Sequence, residues 1–128
     1  MNTRALISYA KRYVGIQYRY DNPPIRFDCS SFVRHVFAKQ GIRLPRTVLN
    51  QATVGMETQT DSLRVADLLF FYVKDKHPTD DIPGHVGIYA GKRQMIHCIP
   101  TSNIFLTSID KPHWRRTFLF ARTIYDDS

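Results

Sequence analysis

A helical pattern of apolar residues begins at Cys29 and constrains the first half of the chain more than any other feature. Apolar residues follow Cys29 at i+3, i+4, i+7 and i+8, which is the spacing of a half-buried helix. They are Phe32, Val33, Val36 and Phe37. Asp28 is a favourable N-cap residue, and Gly41 is a typical residue just past a helix end. The sequence therefore predicts a helix over about 29–40 whose first residue is a cysteine.

The position of Cys29 in the first helical turn has a chemical consequence. Unpaired backbone N–H groups and the positive end of the helix dipole meet at this point. Such surroundings favour the thiolate, which is the nucleophilic form of cysteine. The alternative is a cysteine that only packs in the core, because free cysteines are among the most buried residues. The helix by itself favours neither interpretation.

Two further helices and five strands are predicted from the rest of the pattern. An apolar stripe over 4–14 ends at Gly15 and predicts the first helix, and residues 47–54 predict a short third one. The continuous apolar run 68–73 predicts a buried strand. Further strands are predicted over 85–90, 94–99, 103–108 and 118–124. Helices followed by strands indicate an α+β fold in which N-terminal helices pack on a C-terminal antiparallel sheet of about five strands, within a single domain over 1–128.

The predicted hairpin formed by the strands of His85 and His97 places these two histidines together. Side chains alternate between the faces of a sheet, and a three-residue turn at 91–93 would set Gly87 opposite His97. The histidines would then be diagonal neighbours on a face that need not belong to the core. The opposite face would carry an apolar set: Val86, Ile88, Ala90, Ile96 and Cys98. A two-residue turn without a bulge would instead separate the histidines.

Cys29, His85 and His97 together provide the groups that a Cys–His hydrolase needs. Such an enzyme requires a nucleophile, a base within hydrogen-bond reach and a third polar group that orients the base. The backbone N–H of Cys29 could donate to the oxyanion. Because Cys98 belongs to the apolar set of the hairpin, we expect it to be an inert core thiol.

The charge of the chain bears on its partners. Lysine and arginine total 18 against 11 acidic residues, and the resulting charge of +7 suits an anionic partner such as nucleic acid, acidic lipid or a bacterial wall polymer. The basic residues are scattered and no nucleic-acid motif occurs, so no nucleic-acid partner is predicted. No apolar run is long enough for a membrane span. The cysteines and histidines lack the spacing of a structural zinc site, and neither a metal nor a cofactor is predicted.

Six stretches occur in order along the chain and are specific when taken together. They are Tyr18-Arg19-Tyr20, Phe27-Asp28-Cys29-Ser30-Ser31-Phe32-Val33, Leu44-Pro45-Arg46-Thr47, Ala66-Asp67-Leu68-Leu69-Phe70-Phe71, His85-Val86-Gly87-Ile88-Tyr89-Ala90-Gly91 and Met95-Ile96-His97. They resemble the motifs of the NlpC family of cell-wall cysteine peptidases over nearly the whole chain. The resemblance implies a papain-like fold. It also implies hydrolysis of peptidoglycan stem peptides, typically between γ-D-glutamate and a diamino acid such as meso-diaminopimelate.

The resemblance also implies roles for individual residues. Three residues match the family's nucleophile, base and third polar residue: Cys29, His85 and His97. Tyr18 matches the tyrosine that flanks the nucleophile near the oxyanion. Three others match positions near the substrate groove: Asp28, Ser30 and Arg46.

Several glycines of the family are replaced in this chain. Asp21, Asn22, Arg26 and Ser31 stand at such positions, and Ala66 stands where the family has the glycine before the apolar strand. Asparagine and aspartate tolerate left-handed backbone better than other non-glycine residues. The larger side chains are expected to reshape the rim of the site and so to alter substrate specificity more than the chemistry.

The N-terminal residues show no apolar segment or cleavage site of a signal peptide. We therefore expect synthesis in the cytoplasm and action in the periplasm or cell wall after signal-independent export. Two settings are expected: an antibacterial toxin that an immunity protein neutralises, or a phage lysis enzyme. Two other functions remain open from the residues, namely a Cys–His amidase or acyltransferase acting on a different amide, and a basic binding module in which Cys29 is structural.

Overall fold

The computed structural model describes residues 1–15, 27–99 and 103–124. The helices in this part are α1 (Thr3–Lys11), α2 (Cys29–Ala38), α3 (Val48–Gln51) and α4 (Pro112–Thr117), with a 3-10 helix at Thr60–Ser62. The strands are β1 (Met56–Thr58), β2 (Leu68–Phe71), β3 (His85–Gly91), β4 (Gln94–Ile99), β5 (Asn103–Ser108) and β6 (Phe118–Thr123). The predictions for Tyr18, Asp21, Asn22 and Arg26 lie outside the described residues.

The strands form one antiparallel sheet in the order β1-β6-β2-β3-β4-β5. The α+β prediction is confirmed, and the five predicted strands are all present. The sixth, β1, escaped prediction because it has only three residues and Met56 is 71% exposed, so it shows no apolar alternation. It pairs with β6 at one edge of the sheet.

The main core lies between the sheet and the helices α1 and α2. The helix side chains in it include Leu6, Ala10, Phe32, Val36 and Phe37, all fully buried. The sheet contributes the apolar set predicted for the hairpin, with Val86, Ile88, Ile96 and Cys98 in the core and Ala90 packed against it. Burial of a large apolar side chain stabilises a fold by roughly 1.5–3 kcal/mol, so this contact holds the first turn of α2 against β3.

A second, smaller apolar cluster covers the opposite face of the sheet. It contains Leu69, Phe71, Tyr89, Met95, Ile109 and Ala121, with Trp114 and Phe118 packed against it. Helix α4, which was not predicted, brings Trp114 to this face. The histidine face is therefore buried, since His97 is 0% and His85 7% exposed.

The predicted turn between β3 and β4 is wrong, but the facing of the two histidines is confirmed. Lys92 and Arg93 form a two-residue turn with φ of +53° and +59°, the left-handed values of a type I′ hairpin, and Gly91 pairs with Gln94. A register shift between Tyr89 and Gly91 adds one residue to β3. Because of this bulge the strands pair in the predicted register beyond it, with Ile88 opposite Ile96.

Of the residues that replace family glycines, Ala66 keeps a glycine-like backbone. Its φ is +78°, in the left-handed region that costs other residues about 1–2 kcal/mol. The strand β3 holds it there, because the Ala66 N–H donates to the carbonyl oxygen of Tyr89 (2.9 Å) and the Tyr89 N–H donates to that of Asp67 (2.8 Å).

None of the helices in the described ranges has the length and apolar character required to cross a membrane.

Candidate active site

The first turn of α2 is closed by a reciprocal pair of hydrogen bonds. The Ser31 N–H donates to Asp28 Oδ1 (2.8 Å), and the Asp28 N–H donates to Ser31 Oγ (2.9 Å). This capping box satisfies two backbone donors and fixes the start of the helix at Cys29. Ser31, which stands in place of a family glycine, therefore supplies an acceptor that glycine lacks.

We predict that Ser31→Gly lowers the free energy of unfolding by about 1–2 kcal/mol, from one lost hydrogen bond and the poor helix propensity of glycine. Ser31→Thr keeps the hydroxyl and should stay close to the wild type. Urea unfolding of both variants measures this. Equal stability of Ser31→Gly and the wild type would contradict a capping role for this serine.

Arg46 joins the N-cap residue to Ser30. Its Nη2 donates to Asp28 Oδ2 (2.8 Å), while Nη1 donates to Asp28 Oδ1 (3.2 Å) and to Ser30 Oγ (3.0 Å). Burial opposes ionisation of Asp28, but the hydrogen bonds from Arg46 and Ser31 hold the pKa of Asp28 at about 2. Both charged side chains are about half exposed, so the pair adds little stability. It brings together the three residues predicted for the substrate groove.

Gln51, in the short α3, also holds this group in place, and residue patterns offered no signal for that role. Its side chain is fully buried, and Nε2 donates to the carbonyl oxygens of Ser30 (3.0 Å) and Pro45 (2.8 Å). These bonds tie the segment that carries Arg46 to the first turn of α2.

Cys29 lies where α2 meets the start of β3. The backbone N–H of Val86, the residue after His85, donates to the sulfur, and Lys76 and the N–H of Ser30 also favour the thiolate. Burial outweighs these effects and raises the pKa of the Cys29 thiol. Desolvation of the sulfur therefore opposes the effect of the helix N-terminus, which favours the thiolate. A neighbouring base must take the proton when the sulfur reacts.

His85 begins a line of hydrogen-bonded side chains across the sheet. His85 Nε2 and His97 Nδ1 are 2.9 Å apart, and His97 Nε2 and Thr107 Oγ1 are also 2.9 Å apart. His85 Nδ1 is left for another partner. Thr107 lies on β5 beside β4, and sequence reasoning missed it because a threonine in an ordinary strand carries no distinguishing signal.

Trp114 and Gly87 frame the two imidazoles. The Trp114 ring stacks on His85 at a centroid distance of 5.2 Å and meets His97 edge-on at 5.0 Å. A Cβ atom at Gly87 would lie 2.8 Å from Met95 Sδ and 3.3 Å from His97 Cβ, so a side chain at this position would crowd both residues. The signal for α4 was Pro112, which is favoured at the first position of a helix.

Burial keeps both histidines neutral at neutral pH. It lowers the pKa of His85 to about 3, with further lowering from the charges of His97, Lys76 and His113, and it lowers the pKa of His97 to about 4. The unfolded chain takes up these protons near pH 6.5, whereas the folded protein does so only at the lower values. The contribution of these two histidines to stability is therefore complete above about pH 6.5 and falls as the pH drops toward 4.

We predict that the free energy of unfolding decreases by about 1.4 kcal/mol per pH unit for each of the two histidines as the pH falls from 6 to 4.5. His97→Gln removes one such group and should reduce the slope, whereas His77→Gln, outside the buried line, should not. Urea unfolding across this pH range gives the slopes. Identical slopes in the wild type and His97→Gln would show that His97 is not held neutral.

A cleft of about 280 Å³ opens beside Cys29. Its lining comes from the start of α2, the 46–49 segment and the loop between β2 and β3, as Asp28, Cys29, Ser30, Arg46, Thr47, Val48, Leu49, Lys76, His77, Pro83 and Gly84. The three residues predicted for the substrate groove thus line one cleft with the candidate nucleophile. Tyr18, predicted to lie near the oxyanion, falls in 16–26, which is not described. No group of three or more metal-binding side chains occurs in the described segments.

Comparison with known proteins points to the same family as the six sequence motifs. The model of the NlpC/P60 family matches residues 15–123. The chain is 33% identical over 129 residues to the Gamma-DL-glutamyl hydrolase of Bacillus subtilis, a match covering 98% of this chain and 31% of that protein. It is 30% identical over 130 residues to the Murein DD-endopeptidase MepS/Murein LD-carboxypeptidase of Escherichia coli K12, covering all of this chain and 65% of that protein.

The fold is also similar to solved structures. The NlpC/p60 domain of the peptidoglycan hydrolase SagA superposes with a TM-score of 0.74 at 25% identity, over 96% of this chain and 99% of that one. The chain spans between about a third and two thirds of the length of the two curated relatives.

Proposed function

The chain belongs to the NlpC/P60 family, and from its site we propose that it is a cysteine endopeptidase that hydrolyses peptidoglycan stem peptides. The observation that carries this proposal is the line of hydrogen bonds from His85 through His97 to Thr107. The line starts one residue before Val86, whose backbone N–H donates to the Cys29 sulfur. A binding module in which Cys29 is only structural would have no need of a buried, oriented pair of neutral histidines.

The hydrogen bonds of this line can run in either direction, and only one direction lets His85 act as a base. To accept the thiol proton at Nδ1, His85 must carry its own proton on Nε2 and donate it to His97 Nδ1. His97 then carries its proton on Nε2 and donates it to Thr107 Oγ1. In the reverse direction His85 would be protonated at Nδ1 and could not accept. The Thr107 hydroxyl can accept the His97 proton at the end of the line, so it is compatible with the tautomer that catalysis requires.

The proposed reaction follows from these positions. His85 takes the proton of Cys29 while the sulfur attacks the scissile carbonyl carbon, and the backbone N–H of Cys29 donates to the oxyanion. Collapse breaks the C–N bond, and His85 gives its proton to the leaving amine. Water, deprotonated by His85, then hydrolyses the thioester and restores the thiol. His97 and Thr107 orient the base in both halves.

The bond we propose is the one between γ-D-glutamate and a diamino acid such as meso-diaminopimelate. The family resemblance supports it, as does the similarity to a protein named a Gamma-DL-glutamyl hydrolase. The Asp28, Ser30 and Arg46 group supports it further, because it offers a carboxylate, a hydroxyl and a guanidinium to the polar stem in the cleft of Cys29.

A panel of defined amides tests this function. The chain should cleave L-alanyl-γ-D-glutamyl-meso-diaminopimelate and release free diaminopimelate, and it should leave an acylated lipid amine and an unstructured protein intact. Cleavage of either of these without cleavage of the stem tripeptide would favour the alternative, a Cys–His amidase or acyltransferase on another amide.

For the setting, we propose action in the periplasm or wall, as an antibacterial effector with an immunity protein or as a phage lysis enzyme. The basic charge of +7 supports an anionic wall polymer as its target. Expression in Escherichia coli with and without an added signal peptide tests the place of action. Lysis is expected only for the exported form, and no lysis on export would contradict both settings.

A further inference from the structure

Lys76 reaches the cleft of Cys29 from the loop that joins β2 to β3. Its Nζ donates to the carbonyl oxygen of Gly84 at 2.8 Å, one residue before His85. Both Lys76 and Gly84 line the cleft together with Cys29. The ammonium group is therefore fixed next to the place where a substrate must lie to react with the sulfur.

The methylene chain of Lys76 is also held in place by packing, in addition to the hydrogen bond of its ammonium group. A Cβ atom at Gly84 would lie 2.9 Å from Lys76 Cδ and 3.2 Å from Val73 Cγ2, so the methylene chain packs on the bare Cα of Gly84. The base of the loop is closed by backbone bonds from Lys76 N–H to the carbonyl of Val73 (3.1 Å) and from Gly84 N–H to that of Phe71 (2.9 Å). Although exposed, the side chain occupies a defined position.

Lys76 and Arg46 are both cations of the cleft, but they differ in whether a carboxylate neutralises their charge. Arg46 is neutralised by Asp28, and the second ion pair of the described segments joins Arg93 to Asp110. Lys76 belongs to neither pair. An ammonium has three donors, and the bond to Gly84 uses one of them. The described part of the cleft thus presents one uncompensated positive charge beside the nucleophile, and that charge favours the thiolate of Cys29.

We propose that Lys76 binds a carboxylate of the stem peptide next to the scissile bond. The inference rests on the proposed function, because it assigns a ligand to the same cleft. Two carboxylates of the stem have the required chemistry: the α-carboxylate of the γ-linked D-glutamate, and the side-chain carboxylate of diaminopimelate. Lys76 is then a determinant of specificity, and the catalytic groups are unchanged by its loss.

Three stem tripeptides separate the two carboxylates. The first is L-alanyl-γ-D-glutamyl-meso-diaminopimelate, the second carries the amide of the D-glutamate α-carboxylate, and the third has L-lysine in place of diaminopimelate. We expect the wild type to prefer the first over one of the others by about tenfold in kcat/KM, the lower range for a hydrogen bond to a charged group. Lys76→Gln should lose that one preference through a rise in KM. The matched control Lys74→Gln, in the same loop, should keep it.

Several results would overturn this inference without touching the proposed function. One is cleavage by Lys76→Gln with the same preferences as the wild type, and another is a wild type that cleaves all three peptides equally. A third is a loss in Lys76→Gln that is equal for all three peptides and matched by slower alkylation of Cys29 by iodoacetamide, since the lysine would then act on the thiol. If the wild type cleaves none of the peptides, the proposed function itself fails.

Discussion

Cys29→Ala is expected to abolish hydrolysis of peptidoglycan while leaving the fold intact. Removal of the nucleophile from a hydrolase costs about four orders of magnitude in rate or more, because no other group can form the acyl intermediate. Among the described residues Cys98 is the other thiol, and it lies in the core with its sulfur donating to the carbonyl oxygen of Phe27 (3.3 Å). Burial raises the pKa of Cys98 to about 12, so it cannot substitute as a nucleophile.

Stability should change little in Cys29→Ala. Alanine is the best helix former, and the capping box of Asp28 and Ser31 does not involve the Cys29 side chain. The rate of dye release from labelled sacculi and the thermal midpoint together measure the outcome. Cys98→Ala is the matched control, with a loss of stability from a small core cavity and activity retained. Substantial activity in a folded Cys29→Ala would remove the nucleophile from this account.

His85→Gln should give the second largest loss, about three orders of magnitude in kcat/KM. The thiol pKa is raised by burial, so without a base the sulfur stays protonated at neutral pH. The same variant should slow the alkylation of Cys29 by iodoacetamide. His97→Gln should lose less activity, because an orienting residue contributes less than the base that it holds.

The control for His85→Gln is His77→Gln. His77 also lines the cleft but has no part in the described hydrogen-bonded line, so its replacement should leave the rate within a few fold of the wild type. The measurements are steady-state kinetics on a stem tripeptide and the alkylation rate at pH 7. If His85→Gln stays within tenfold of the wild type in both, another group takes the proton of Cys29.

The hairpin of β3 and β4 shows how much of the site could be predicted from residue patterns alone. Strand alternation put His85 and His97 on one face and Cys98 on the other, and the structure confirms both. The turn was misassigned, because a bulge between Tyr89 and Gly91 followed by a two-residue turn gives the same side-chain parity as a three-residue turn. A periodic pattern determines which face of the sheet a side chain occupies. The same pattern contains little information about the geometry of the turn.

The parts of the site that escaped prediction are those set by packing between distant segments. Thr107 and Trp114 reach the histidines only because β5 pairs with β4 and α4 folds back over the sheet. The pKa of the Cys29 thiol depends on how deeply the start of α2 is buried against β3. The position of Cys29 at a helix N-terminus does not indicate that burial. In contrast, Ser31 could have been recognised, since a serine three residues after an aspartate N-cap can close a capping box.

The most direct test of this account is the mass of the products released from diaminopimelate-type sacculi by the wild type and Cys29→Ala in parallel. We predict that the wild type produces stems shortened to L-alanyl-D-glutamate, together with fragments that carry a new free amine on diaminopimelate, and that Cys29→Ala produces neither. Products cut at any other bond, or the same products from Cys29→Ala, would contradict the account.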